Sequence, residues 1–155
     1  MSTLRVDSIR GQTADGTNRY VVQVVQENTN TQTTTTSTSY SDTGLTASIT
    51  PQLSTNKVLV VVNQRLFRAP NASCTVNLYR DNADVSPGVA ISRYGLTDET
   101  STGDGNFLMF TFLDSPSTTS SVTYKTVFKR TSGSGVIYAQ LDSNISTITL
   151  TEIAQ

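Results

Sequence analysis

From Tyr40 onward, apolar residues recur at every second position in short runs, and the interruptions fall at turn-forming residues. Leu45, Ala47 and Ile49 alternate with Thr46, Ser48 and Thr50; Cys74, Val76 and Leu78 alternate with Thr75, Asn77 and Tyr79. Val122, Tyr124 and Phe128 oppose Thr123, Lys125 and Lys129. Ile137, Ala139 and Leu141 make a further inward set, and Ile148 and Leu150 sit among threonines near the end. A period of two places each set on one face of a strand. Asp42-Thr43-Gly44, Asp81-Asn82, Pro87-Gly88, Gly103-Asp104-Gly105, Ser115-Pro116-Ser117 and Ser132-Gly133-Ser134-Gly135 mark the turns. Many short strands with regular turns predict an all-β, jelly-roll-like sandwich.

Two runs break the alternation. Val58 to Val62 (VLVVV) and Phe107 to Leu113 (FLMFTFL) are apolar in both phases, so both of their faces need cover. That cover is either the N-terminal arm or a neighbouring subunit; the second reading makes Val58, Val60, Val62, Leu108, Phe110 and Phe112 the candidate oligomer interface. Ahead of the sandwich, composition divides the chain further. Residues 1–26 read as an arm, with Leu4, Val6 and Ile9 as its apolar positions and a run from Tyr20 to Val25. Residues 27–38 (ENTNTQTTTTST) hold no apolar side chain and read as a linker or an extended crossing segment. The sandwich is then expected over 39–155.

Composition strengthens the sheet reading and removes most chemistry. Of the 155 residues 46 are Ser or Thr and only 15% are charged, so solubility rests on hydroxyls, and β-branched Thr favours strands over helices. A formal net charge of -1 creates no field that would draw nucleic acid or an anionic membrane. No apolar run reaches the ~18 residues of a membrane-spanning helix, and no basic-then-apolar leader opens the chain. Synthesis in the cytosol without Sec export is the corresponding expectation.

The absence of histidine removes the usual general base, triad partner and metal ligand. No serine stands in a G-x-S-x-G elbow, and one cysteine without histidine cannot hold zinc. Cys74 reads as a small core residue. Asp81 with Asp84, or Asp98, Glu99 and Asp104, leave a loop calcium site open, without EF-hand spacing. Arg65, Arg68, Arg80 and Arg93 suit a polar interface or strand ends. An enzyme is not expected, and neither is a cofactor.

The stretch from Phe112 to Gln155 carries FLDSP, VTYK, a Gly-Ser hairpin and STITLTEI in that order. It resembles the closing half of a β-rich domain of small virion and tail-fibre proteins of tailed phages, especially those of aquatic bacteria. SYSDTGLTASITPQLSTNKVLVVV resembles the opening strands of the same domain, and STLRVDSIRGQT resembles the opening by which phage fibre proteins attach to the virion. Together these cover about two thirds of the chain and leave 65–106 unmatched. The resemblance implies a trimeric sandwich module on the virion surface, made in the bacterial host. It would be anchored to capsid or tail proteins through Leu4, Val6 and Ile9, as a capsid decoration (cement) protein or a short head or tail fibre. The alternative is a receptor-binding fibre tip, with Tyr79, Tyr94 and the loops between 81 and 105 against host surface glycan.

Overall fold

The computed structural model of the chain describes residues 19–85, 92–94 and 103–155, with the backbone alone for 92–94. Eleven strands form two antiparallel sheets that enclose the core between them. The jelly-roll-like sandwich expected from the alternation is the fold of the chain.

The first sheet is organised around β4 (Lys57–Arg68), whose twelve residues run its full length. Along one side β4 pairs with β8 (Asp104–Asp114) from Val58–Asp114 to Arg68–Asp104. Its other side is shared. β11 (Ser146–Ile153) takes Lys57 to Asn63, and β10 (Ile137–Ala139) takes Leu66 to Arg68. Beyond β11 lies β1 (Val21–Thr29), and beyond β10 lies β2 (Thr33–Thr35). The sheet is therefore four positions wide, with two of its positions broken at the same level. The second sheet runs β3 (Ser41–Ile49), β9 (Val122–Gly133), β5 (Ala72–Arg80), and then β6 (Ala83–Asp84) and β7 (Ser92–Tyr94) on the far side of β5.

The inward phase read from the sequence is the observed one for most strands. Leu45, Ala47, Ile49, Cys74, Val76, Leu78, Val122, Tyr124, Phe128, Ile137, Ala139, Ile148 and Leu150 are all buried. Leu141 is the exception: it is half-buried in a 3-10 turn, Leu141–Ser143, because the strand ends at Gln140, whose backbone is left-handed (φ 54°).

The buried residues fall into two apolar clusters. One gathers Leu45, Ile49, Val58, Val60, Val62, Leu78, Tyr124, Ile148 and Leu150; the other gathers Leu66, Cys74, Val76, Phe128, Ile137 and Ala139. A polar layer crosses the interior between them. Gln64 stands between Val62 and Leu66 in the inward phase of β4, Thr126 between Tyr124 and Phe128 on β9, and Thr43 two residues before Leu45 on β3. All three are fully buried. Gln64 Oε1 accepts from Thr126 Oγ1 at 2.7 Å and from Thr43 Oγ1 at 3.3 Å, while Gln64 Nε2 donates to Ser146 Oγ at 3.1 Å. The Gln140 carboxamide donates to the carbonyls of Thr43, Thr31 and Ala139 and accepts from Gln64 Nε2 and Ser146 Oγ.

This layer sits at the break in the first sheet for a reason. Between β11 and β10, the backbone of Arg65 has no strand beside it. Its N–H instead donates to Ser146 Oγ at 2.8 Å, and its carbonyl accepts from Gln140 N at 3.2 Å. Buried backbone groups must find partners, and here side chains and turn residues supply what the ladder does not.

The N-terminal division of the chain differs from the one expected. Residues 21–26 of the inferred arm and 27–29 of the inferred linker form one strand, β1, hydrogen-bonded along β11. Residues 33–35 form β2, so sandwich strands begin well before residue 39. Thr35 is buried. A segment without apolar residues joins a sheet because the ladder pairs backbone, and Thr brings a methyl group for packing. Leu4, Val6 and Ile9 lie outside the described residues.

β1 is also fastened through a carboxylate. Glu152 on β11 is fully buried and accepts from Gln23 Nε2 at 2.6 Å, Asn56 Nδ2 at 2.6 Å and the Gln52 backbone N–H at 2.7 Å. Burial by itself would raise its pKa. The donors from Asn56, Gln23 and the backbone of Gln52 and Leu53 prevail and hold it below the ordinary carboxylate value. Glu152 therefore stabilises the fold fully above the unfolded-state pKa of about 4.3, and that contribution is lost as pH falls through the depressed folded value. Urea denaturation from pH 7 to pH 3 is expected to give a steep loss of stability below about pH 4 for the native chain and a flatter profile, from a lower start, for Glu152→Gln. Parallel profiles would rule out this role.

The polar layer generates a second expectation. Gln64→Leu removes the hydrogen bonds to Thr126, Thr43 and Ser146 from the core, although each keeps another partner, and is expected to cost about 1–3 kcal/mol in total. Thr123→Ala, on the outer face of β9, is expected to change stability by no more than about 0.5 kcal/mol. Chemical denaturation of the two variants side by side checks the assignment, and equal effects would contradict it.

Candidate interaction surface

The apolar excess of VLVVV and FLMFTFL resolves into two phases with different fates. Val58, Val60 and Val62 are 0% exposed; the chain's own second sheet covers them, and they offer no surface to another subunit. Leu108, Phe110 and Phe112 also point inward, half-buried against the core, with Phe110 touching both clusters. All six residues of the expected interface therefore face the core of this chain, and the outer face of the sheet belongs to the alternate phase. The outward phase of β8 holds Phe107 (46% exposed), Met109 (72%) and Leu113 (49%). Beside them on β4 are Leu59, Val61 and Phe67, all half-buried. Alternation alone could not choose the phase, since both were apolar. Within FLMFTFL the one polar member, Thr111, falls in the outward phase.

Cross-strand register arranges this outer face in rows. One row runs Leu113, Leu59, Thr151, Val24; the next Thr111, Val61, Thr149, Gln26; the third Met109, Asn63, Thr147, Asn28. Gln26 Nε2 donates to Thr149 Oγ1 at 2.9 Å. The face is therefore apolar along β8 and β4 and lined with hydroxyls along β11, and it turns apolar again at Val21 and Val24, which are 56% and 59% exposed. Arg65 stacks its guanidinium over the Phe107 ring at 5.2 Å, and Phe67 meets Tyr138 edge to face at 5.8 Å.

β8 is tied to the second sheet by a polar clamp at its end. Asp114 accepts from Arg80 Nη1 at 2.5 Å and from the Tyr124 hydroxyl at 2.6 Å. Burial, with the Asp114 carboxylate beside it, pushes the Tyr124 phenol far above its ordinary pKa, so it remains a donor. Arg80 thus holds the two sheets together at a strand end. Arg68 is buried, with Nη1 reaching the Ala72 carbonyl at 3.4 Å.

The remaining candidates separate in space. Asp81 Oδ1 accepts from the Thr123 backbone N–H, and Asp84 Oδ2 accepts from Asn77 Nδ2 at 2.8 Å, which gives both carboxylates work within the second sheet. Asp104 is half-buried at the start of β8, and Asp98 and Glu99 lie outside the described residues. Among the described residues no three metal-ligating side chains converge. Tyr79 packs edge to face on Tyr40 at 5.7 Å, with Lys129 Nζ 4.5 Å above the Tyr40 ring. Tyr94 and Arg93 pair through their backbone in β7, and their side chains lie outside the described set. Cys74 is fully buried, and burial pushes its thiol up to about 12 against the opposing pull of Arg68. It stays protonated at neutral pH, as a core residue should.

No family model matches the chain, and no curated protein does. Among solved structures it is similar to that of infectious bursal disease virus, Gt strain, at a TM-score of 0.40 and 12% identity, over 99% of this chain and 44% of that one. Similarity to the T13 particle of the same virus has a TM-score of 0.43 and 13% identity, over 99% and 41% of the two chains. For the VP2 subviral particle the TM-score is 0.41 at 10% identity, over 97% and 43%. The chain spans less than half the length of each of these.

The two phases of β8 are separable by mutation. Phe110→Ala is expected to cost about 3 kcal/mol, the low end of the range for a core Phe because the ring is half-buried. Phe107→Ser, on the outer face, should stay within about 1 kcal/mol, mostly the stacked Arg65. Denaturation midpoints decide between the phases, and reversal of this order would mean that β8 is turned over.

Proposed function

We propose that this chain is a non-enzymatic structural protein of a tailed-phage virion: a homotrimeric surface module, either a capsid decoration protein or a short head or tail fibre. The N-terminal segment, with Leu4, Val6 and Ile9, fastens it to capsid or tail proteins. The observation that carries the reading is the outer face of the first sheet. An otherwise hydroxyl-rich sandwich leaves Phe107, Met109, Leu113, Val21 and Val24 exposed on one sheet, and apolar side chains concentrated in this way mark surfaces that meet another protein. The order of the FLDSP, VTYK, Gly-Ser and STITLTEI segments supports the phage assignment. Receptor binding through Tyr79, Tyr94 and the loops between 81 and 105 is the alternative reading, with host surface glycan as ligand.

Quantification of the protein against the major capsid protein in purified particles tests the reading. A decoration protein is present in numbers comparable with the capsid protein, and a fibre in far fewer. Absence from particles would end it. Removal of residues 2–18 is expected to abolish incorporation. Removal through Thr29 takes away β1 with the Gln23 bond to Glu152, and is expected to lower the melting temperature as well. A truncation to Asn18 that still enters particles would place the attachment elsewhere.

A further inference from the structure

The two outermost positions of the first sheet are the observation. Among the described residues, β8 is hydrogen-bonded on one side only, to β4, and β1 on one side only, to β11. Exposed strand edges are normally blunted by lysine, proline, a bulge or short length. β8 is eleven residues long, DGNFLMFTFLD, without lysine, proline or bulge. β1, VVQVVQENT, also lacks both residues, and after one irregularity between Val21 and Gln23 it is regular to Thr29. Both edges carry exposed apolar side chains on the same outer face: Phe107, Met109 and Leu113 on β8, Val21 and Val24 on β1.

Direction and charge make these edges partners for each other. Each of the pairs β1–β11, β11–β4 and β4–β8 is antiparallel, so β8 runs opposite to β1. A second copy rotated about an axis parallel to the strands keeps its strand directions, and so offers β1 antiparallel to β8 of the first. Carried straight across, the rows bring Val24 of one copy beside Leu113 of the next. β8 holds Asp104 and Asp114 at its ends and no cation, whereas Arg19 precedes β1 on the Asp114 side. Two β8 strands facing each other about Met109 would instead set Asp104 against Asp114 at both ends, which like-charge repulsion disfavours.

We propose that copies of this chain associate head to tail, with the outer edge of β8 in one copy continuing the first sheet into β1 of the next, and that the trimer closes as a ring through three identical β8–β1 junctions. This rests on the self-associating module proposed above and names its interface. A heterologous contact closes a ring only if the rotation is right and otherwise builds filaments, so the mass of the assembly is part of the test.

Light scattering on the purified full chain is expected to give a trimer. Met109→Lys and Val24→Lys each place a cation on one of the two edges, at positions exposed enough for the fold to tolerate it; unchanged melting temperatures check this. Each variant alone is expected to be monomeric. Mixed at concentrations well above those at which the native chain assembles, they should form a 1:1 dimer, because one variant retains β1 and the other retains β8. A monomeric native chain, an open filament, a trimer that survives either substitution, or a mixture that stays monomeric would overturn the junction. If Val24→Lys alone still associated, the interface would be symmetric through β8. None of these outcomes bears on whether the protein is found in particles, so the virion reading fails or stands separately.

Discussion

The fold depends on a side-chain carboxamide where strand pairing stops. β4 is the long central strand, and the strands beside it are broken opposite Gln64 and Arg65. The freed backbone groups of Arg65 are taken by Ser146 and Gln140, and Gln64 joins both to Thr43 and Thr126 on the second sheet. A fully satisfied polar network of this kind costs desolvation but tolerates only one registration of its members. The two apolar clusters on either side would accept many relative offsets of the sheets; the hydrogen bonds across the middle accept one. This layer therefore specifies how the sheets face each other, while the valines, leucines and Phe128 provide most of the cohesive energy.

A related division of labour governs the strands at the margin. β1 contributes few buried apolar groups, with Val25 half-buried against the core, and is retained by its ladder to β11 and by Gln23 on Glu152. β8 is retained by Phe110 and Phe112 from within and by Asp114 through Arg80 and Tyr124 at its end. Among the described residues both margins are thus held in place while their outer edges pair with no further strand, which is what the junction proposed above requires.

Most of the sandwich was legible in the sequence, because alternation with one polar and one apolar phase leaves a strand a single sensible orientation. Leu45-Ala47-Ile49 and Cys74-Val76-Leu78 are of this kind. Legibility failed where that contrast vanished. In VLVVV and FLMFTFL both phases are apolar, so alternation alone does not say which phase faces out; the structure encloses Val58, Val60 and Val62, and Thr111 is the one polar residue of FLMFTFL on the outward side. It failed in the opposite sense at 27–35, where both phases are polar and the sequence suggested a segment outside the sandwich. Backbone pairing to β11 and β10 leaves no side-chain signature there. The buried role of Gln64, Gln140 and Glu152 was not legible either, since polar residues announce burial only through partners distant in the chain.

The hydroxyl ladder of Thr147, Thr149 and Thr151 has a consequence for the conditions under which such a surface operates. Hydroxyls bind water without carrying charge, so along β11 the face has little ionic atmosphere to compress, its cations Lys57 and Arg65 lying on β4. Changes in ionic strength that would weaken a surface held by Lys–Glu pairs have little here to screen. Attraction across such a face comes from removing Met109, Leu113 and their neighbours from water, a force that fades on cooling and grows with excluded salts and osmolytes. Under the junction proposed above, the apolar part of the association would weaken on cooling and strengthen with excluded salts.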